Sequence, residues 1–258
     1  MNSSLQSTKF ILSFLAVLSA LQTAQAQPSP PVTIDAHSGL STEQVVASMV
    51  RKNLERSQAL EAYRATRIYR LEYRGFPGSR TAEMIVDVKY HSPATKEFSI
   101  RSQKGSQLLI DRVFQRMIES EKEAVTEDYQ RRIALNNDNY RFAMAGYETT
   151  PTGPSYILSV EPRTNDKLLY RGRIWVNADD FAVARIEAAP AKNPSFWTKE
   201  TKIEQVYMKV GDFWLPVSNR SNSAIRLGGH ANFSIDYQDY QITAAKAVGP
   251  SQSAAGSR

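Results

Sequence analysis

The feature that most constrains the fold is a long series of short strands in the second half of the chain. From Tyr140 onward apolar and polar residues alternate, and turn-forming residues interrupt the alternation at close intervals. The strands that this pattern predicts are 140–148, 156–161, 168–177, 181–188, 199–210, 213–226 and 230–242. Parallel strands need a crossover of about a dozen residues or more, so these short connections predict an antiparallel sheet.

In the first part of the domain, the sequence pattern predicts a helix followed by a strand. Ser41 and Gln44 have the spacing of a capping box, and apolar residues then recur on one side of a helix of about 20 residues. The period changes to two after this helix. Because side chains alternate along a strand, Arg67, Tyr69 and Leu71 fall on the same face of it.

Two further strands follow, and a second helix then interrupts the sheet. Met84 and Val86 share the apolar face of the strand after the first hairpin, whereas Phe114 and Met117 belong to an apolar helical stripe whose pattern fades near Arg131. Ten antiparallel strands curl strongly and leave edges that need cover. The predicted fold class is mainly β with two to three helices (α+β): a strongly bent, half-open antiparallel β-barrel of about ten to eleven strands, with helices covering the concave mouth.

The two ends of the chain differ from the domain between them. A lysine, an apolar run and a small-x-small cleavage pattern predict a secretory signal peptide over residues 1–26. The alternative, an uncleaved membrane anchor, would need about 20 apolar residues. We expect a flexible leader over 27–41, a folded domain over 42–243 and a disordered tail over 244–258. The signal predicts export, which in a Gram-negative bacterium means the periplasm.

Charge and motifs argue against several classes of function. The net charge of +6 is scattered along the chain, whereas nucleic-acid binding favours a clustered basic face, so no nucleic-acid partner is expected. The chain has no cysteine, its three histidines are far apart, and it lacks the motifs of nucleophilic or metal-dependent enzymes. Asp179-Asp180 is interpreted as a turn, and Glu119, Glu121 and Glu123 as the solvated end of a helix. We therefore expect no enzyme activity, no metal and no cofactor.

Two stretches carry a resemblance to a known family. The run RGRIWVNADDFAVARIEAAPAKNPSFWTK, residues 171–199, and the run KVGDFWLPVSNRS, residues 209–221, resemble outer-membrane lipoprotein-sorting proteins. These belong to the LolA-like periplasmic lipoprotein-carrier superfamily, which includes LolB-like and RseB-like proteins. The resemblance implies an unclosed, strongly bent antiparallel sheet with helices in its concave mouth. It also implies non-covalent binding of the acyl chains of a lipid or lipoprotein in an apolar cavity.

The predicted site combines inward-facing strand residues, the stripe of the second helix and a Phe-Trp pair in a loop. The predicted lipid-binding residues are Tyr69, Leu71, Met84, Val86, Phe114, Met117, Ile174, Phe196, Trp197, Phe233 and Ile235. In the carriers that the chain resembles, an arginine holds the helices closed, and Arg67 is the candidate for this lid latch. Aromatic residues of a β-rich domain also form cores and cross-strand pairs, and a snorkelling surface arginine is the alternative for Arg67.

The predicted function is a periplasmic carrier in outer-membrane sorting or envelope lipid transport, without covalent chemistry. Burial of an alkyl chain contributes roughly 0.8 kcal/mol per CH₂, so a carrier needs volume and a movable lid more than a signature motif. The alternative is an RseB-like sensor or interaction module that regulates an envelope membrane protein, and an enzyme of unknown type is a third hypothesis. The expected partners are lipid or lipoprotein acyl chains, and the protein is expected to be a monomer.

Overall fold

The computed structural model describes residues 39–93, 95–124, 127–193, 198–226 and 228–246. The predicted signal peptide lies outside these ranges, as do most of the predicted leader and the predicted tail beyond residue 246. The predicted loop pair Phe196-Trp197 also lies outside the described residues.

Four helices and ten strands make up the described part of the chain. The helices are α1 (Thr42–Ala59), α2 (Gln107–Leu109), α3 (Gln115–Glu123) and α4 (Glu127–Ile133), with a π-helical turn, Ile110–Phe114, between α2 and α3. The strands are β1 (Leu60–Gly75), β2 (Arg80–His91), β3 (Thr95–Gly105), β4 (Tyr140–Thr150), β5 (Gly153–Pro162), β6 (Tyr170–Asn177), β7 (Val183–Pro190), β8 (Thr198–Val210), β9 (Phe213–Ile225) and β10 (Gly229–Ala245).

The start of α1 has the predicted capping box. The hydroxyl of Ser41 accepts the backbone N–H of Gln44 at 3.3 Å, and Oε1 of Gln44 accepts the backbone N–H of Ser41 at 2.7 Å. Where the helical pattern was expected to fade, near Arg131, the chain instead forms the separate short helix α4. Both helical regions therefore arise where the sequence places apolar stripes.

All ten strands belong to one antiparallel sheet. Its order is β3-β2-β1-β10-β9-β8-β7-β6-β5-β4. Strands β3 and β4 are the two outer strands, so the sheet is not closed into a barrel. This confirms the predicted fold class, a mainly β, half-open antiparallel sheet with helices, and sets the number of strands at ten within the described residues.

The strand register shows that the helices pack on a single face of the sheet, which we call the inner face. Directly opposite partners always point to the same side of a sheet. One continuous row of such partners crosses eight strands: Met84, Tyr69, Ile235, Asn219, Gln205, Ile186, Ile174 and Leu158. Tyr69 at one end packs against α2 and α3, and Leu158 at the other packs against α1.

Two large apolar cores form along the sheet, together with a smaller cluster of Ala59, Phe213 and Leu215. The first core lies between β1, β2 and β10 and the segment from α2 to α3, where Tyr69, Met84 and Phe114 are completely buried. The second core lies between α1 and β4 to β7, where Met49 and Leu158 are completely buried. Burying a side chain of this size contributes roughly 1.5–3 kcal/mol, so each core holds its helical region against the sheet.

The opposite, outer face of the sheet is polar. Trp175 of β6 lies on this face, as strand alternation predicts, and only 4% of its surface is exposed. The guanidinium groups of Arg173 and Arg185 lie 5.3 and 5.1 Å from the centre of its ring. Its indole N–H donates to Glu148 at 2.6 Å. The ring and the N–H group of this tryptophan therefore both have partners within the sheet.

Candidate functional site

A cleft of about 540 Å³ opens on the inner face, beside the second core. It lies between the C-terminal half of α1, the region of α4 and strands β6 to β9. The residues that line it are Asn53, Arg56, Ser57, Leu60, Tyr129, Ile133, Leu135, Leu168, Tyr170, Val183, Ile186, Gln205, Tyr207, Phe213, Trp214 and Leu215. Its volume falls in the range of about 300–1,000 Å³ that is typical of small-molecule sites.

Apolar and aromatic side chains dominate this lining, and its tyrosines are uncharged. Burial raises the pKa of Tyr207 to about 12. Burial also raises the pKa of Tyr170 well above its ordinary value, and the nearby hydroxyls of Tyr140 and Tyr207 add to this shift. Both phenols therefore stay protonated at neutral pH, and they add hydroxyl groups to the cleft without adding negative charge.

The floor of the inner face is polar between the two cores. Gln205 of β8, which lines the cleft, lies directly opposite Asn219 of β9. Ile203 lies opposite Ser221 in the same pair of strands. Among the described residues, the side chains of Gln205, Asn219 and Ser221 have no hydrogen-bond partner. This strip leaves polar groups free on the floor next to an apolar cleft.

Arg56 is the one charged side chain among the described residues that line the cleft. Its Nη1 donates to the backbone carbonyl of Asp180 at 2.9 Å, and its Nη2 donates to Oδ1 of Asn53 at 3.0 Å. Both acceptors are neutral. Burial lowers the pKa of Arg56, and the attraction of Asp180 and Glu55 does not offset this effect. The guanidinium is therefore held in place by neutral oxygens.

The turn between β6 and β7 fixes one wall of the cleft. Asp179-Asp180 lies in a turn, as predicted. Asp180 also accepts the indole N–H of Trp214 at 2.9 Å and forms an ion pair with Lys209 at 2.9 Å. These bonds join the turn to strands β8 and β9. The role of Asp180 in holding Trp214 at the cleft depends on contacts between distant segments, which a turn motif alone does not reveal.

The structure places the predicted lipid-binding residues in the two cores and not around the cleft. Six of them, Tyr69, Leu71, Met84, Val86, Phe114 and Ile235, are buried in the first core, and Met117 and Phe233 pack partly buried against it. Ile174 is buried in the second core. Phe196 and Trp197 lie outside the described residues. A role of these residues in lipid binding stays a prediction.

Arg67, the residue proposed as a lid latch, connects the sheet to a helix. Its side chain is 4% exposed, and its Nη1 lies 2.7 and 2.8 Å from the two carboxylate oxygens of Glu121 in α3. The rings of Tyr237 and Phe98 lie 5.1 and 5.8 Å from its guanidinium carbon. The partner of Arg67 in the helix is thus a carboxylate.

The interpretation of Glu121 as part of a solvated helix end is wrong. Its carboxylate faces the sheet, where Arg67 and Lys96 both form ion pairs with it, the latter at 3.3 Å. Desolvation would raise the pKa of this carboxyl, but the two cations outweigh it and lower the pKa. Glu119, in contrast, is exposed.

Two other kinds of site are absent from the described ranges. No group of three or more His, Cys, Asp or Glu side chains is arranged to hold a metal ion. In the same part of the chain, no helix combines the length and apolar character that a membrane span requires.

Comparisons with known proteins identify solved structures of similar topology. No family model and no curated protein matches the chain. An outer membrane lipoprotein-sorting protein domain from Vibrio parahaemolyticus is 12% identical, covers 78% of this chain and 93% of its own, and has a TM-score of 0.40. A DUF1329 family protein from Desulfovibrio piger is 13% identical, with coverages of 79% and 93% and a TM-score of 0.40.

A LolA superfamily protein from Nitrosomonas europaea also resembles the chain. It is 9% identical, covers 79% of this chain and 94% of its own, and has a TM-score of 0.35. Similarity at this level carries no argument about function. The fold class rests on the strand order and the register described above.

Proposed function

We propose that this protein is an exported carrier that binds an acyl chain of a lipid or lipoprotein in the cleft of its inner face. The observation that carries this proposal is the cleft itself, a mostly apolar space of about 540 Å³ between the sheet and helices α1 and α4. The signal-peptide pattern of residues 1–26 supports export, and in a Gram-negative source the carrier would act in the periplasm.

The physical chemistry of the cleft suits this role. Each buried methylene group contributes roughly 0.8 kcal/mol, so ten of them contribute on the order of 8 kcal/mol before the entropic costs of binding. That energy requires only an apolar space from which water is displaced. A carrier of this kind performs no covalent step, and its cargo leaves unchanged.

We propose further that α3 is the movable part of the lid and that the pair of Arg67 and Glu121 is its latch. The predicted lipid-binding residues of the first core, such as Tyr69 and Phe114, are packed against this helical region. They would contact cargo only after α3 moves away from the sheet. The cleft beside the second core would then be the entry point, and the first core an extension of it.

Filling the cleft tests the carrier function. Gln205→Trp on β8 would place a large ring in the cleft, whereas Lys202→Trp adds the same ring to the same strand at a side chain that is 79% exposed. We expect Gln205→Trp to weaken binding of a fluorescent acyl probe at least tenfold and Lys202→Trp to leave it within twofold of the wild type. Thermal melting of both variants checks that they fold.

Native mass spectrometry of gently purified protein provides a second, independent readout. The carrier proposal predicts a bound species with the mass of a lipid or an acylated peptide. If no lipid co-purifies and no acyl probe binds, the proposal fails. Recovery of a single membrane protein, independent of lipid, would favour the alternative of an interaction module.

A further inference from the structure

We propose that the cleft selects an amphiphile with an anionic head group, and that Arg56 binds the carboxylate or phosphate of that head. This inference rests on the proposed carrier function, because it names the chemical class of cargo for the same site. The juxtaposition that supports it is that Arg56 is the single charged group among the described residues of the lining.

Among the described residues, Arg56 has a charge without a paired counter-ion. Among the described residues it forms no ion pair, and its two hydrogen bonds go to a backbone carbonyl and a side-chain amide oxygen. The carboxylate of Asp180, which attracts Arg56 more than that of Glu55 does, is already paired with Lys209. A partly buried charge without a counter-ion still loses hydration, so an anion that reaches Arg56 would be stabilised there.

Arg67 provides an internal comparison. Arg67 projects from the sheet towards a helix and is buried, whereas Arg56 projects from helix α1 into the cleft and is half-buried. Arg67 has the carboxylate of Glu121 against its Nη1, and the pair raises the pKa of Arg67 well above its ordinary value. Burial instead lowers the pKa of Arg56. The protein supplies the anion at one of these positions, and a ligand can supply it at the other.

Two hydrogen bonds orient the guanidinium of Arg56. Nη1 and Nη2 of Arg56 are fixed by the carbonyl of Asp180 and by Asn53, which leaves its other N–H groups available to an incoming anion. Arginine is suited to both carboxylate and phosphate because its planar fork can donate two parallel hydrogen bonds. The apolar residues Leu168, Ile186 and Leu215 line the same cleft and would contact the alkyl chain.

The described lining of the cleft carries no charge that competes with Arg56. The tyrosines remain neutral, and the remaining polar groups of the lining are amides, a hydroxyl and an indole. No acidic side chain among the described residues lines the cleft to repel an anion. A cationic head group would therefore find no partner there, while an anionic one finds Arg56.

Competition binding at pH 8 tests this selectivity with three probes of equal chain length: dodecanoate, dodecyl phosphate and dodecanol. Each displaces a fluorescent acyl probe from the wild-type protein and from Arg56→Gln, Arg56→Lys and Arg51→Gln. Arg51 is the matched control because it belongs to the same helix, is 52% exposed and does not line the cleft.

We expect the wild type to bind one or both anionic probes at least tenfold more tightly than dodecanol. Arg56→Gln should remove this preference without changing dodecanol binding more than twofold. Arg56→Lys should keep most of the preference, and Arg51→Gln should keep all of it. The two anionic probes reveal whether carboxylate or phosphate is preferred.

Equal binding of anionic and neutral probes by the wild type would overturn the inference while leaving the carrier function intact. So would a preference that survives in Arg56→Gln. If Arg56→Gln does not fold, the wild-type series and Arg56→Lys still decide the question. Failure of all three probes to bind would instead overturn the carrier function itself.

Discussion

Arg67 of β1 and Glu121 of α3 form an ion pair across the boundary between sheet and helix, with Nη1 of the arginine 2.7 and 2.8 Å from the two carboxylate oxygens. The two residues are 54 positions apart in the chain. The arginine is 4% exposed and the glutamate 27%. Breaking a buried pair by removing one partner leaves the other charge uncompensated, which makes this contact an effective test of how α3 is held.

We predict that Glu121→Gln destabilises the protein by about 2 kcal/mol, because Arg67 stays buried without its counter-ion. Urea unfolding measures this loss. Glu119→Gln, on the same helix but exposed, should change the free energy of unfolding by less than about 0.5 kcal/mol. Hydrogen exchange should also be faster for the amides of α3 in Glu121→Gln. Equal stability of the two variants would show that the pair does not hold the helix.

The same pair predicts a pH dependence of stability. The pKa of Glu121 is lowered in the folded protein below its ordinary value of 4.5, because Arg67 and Lys96 outweigh desolvation. A carboxyl with a lowered pKa contributes stability above its unfolded value and loses it as the pH falls through the folded value. The stability difference between wild type and Glu121→Gln should therefore be full at pH 7 and shrink below about pH 4.5. A difference that stays constant down to pH 3 would contradict this assignment.

Ligand binding in the cleft should change the fluorescence of one tryptophan and not another. Trp214 lines the cleft, whereas Trp175 is buried on the outer face of the sheet. With Trp197 replaced by phenylalanine, adding Trp214→Phe should abolish the fluorescence change caused by an acyl ligand. Adding Trp175→Phe instead should preserve it. A signal that depends on Trp175 would place the ligand elsewhere.

Two glycines with similar backbone angles allow a test of close packing in the sheet. A Cβ at Gly172, whose φ is +153°, would lie 2.1 Å from the carbonyl oxygen of Glu187. At Gly78, with a φ of +148°, it would meet nothing within 4 Å. Gly172→Ala should therefore destabilise the protein by about 1–3 kcal/mol more than Gly78→Ala does. Similar melting temperatures for the two variants would show that the neighbouring strand β7 shifts to accommodate the added methyl group.

The strands could be predicted from the sequence because their signals are local. Alternation along the first strand placed Arg67 on the face of Tyr69. The structure confirms this: the residues directly opposite Arg67 are Val86 of β2 and Tyr237 of β10, and both belong to the first core or pack against it. Turn residues such as Gly211-Asp212 separate β8 from β9 as expected. The alternation of polar and apolar residues and the preferences of turn residues depend on neighbours in the chain. Contacts between distant segments therefore do not change them.

The cleft could not be predicted in the same way. Arg56, Tyr129 and Tyr207 come from three distant segments, and only the folded chain brings them to one cleft. Glu121 was misinterpreted for a related reason, since its position on the helix does not reveal that Arg67 lies opposite it. The one local signal for the cleft was Arg56, an arginine near the end of an amphipathic helix. Arginines are common at this position, so the signal did not distinguish it.

The separation of β3 from β4 at opposite margins of the sheet has a mechanical consequence. In a closed β-barrel, any increase in diameter must break backbone hydrogen bonds between two neighbouring strands. This sheet has two free edges, so it can flatten or curl further while all its inter-strand hydrogen bonds are kept. For the proposed carrier, ligands of different width would then require changes in side-chain contacts alone.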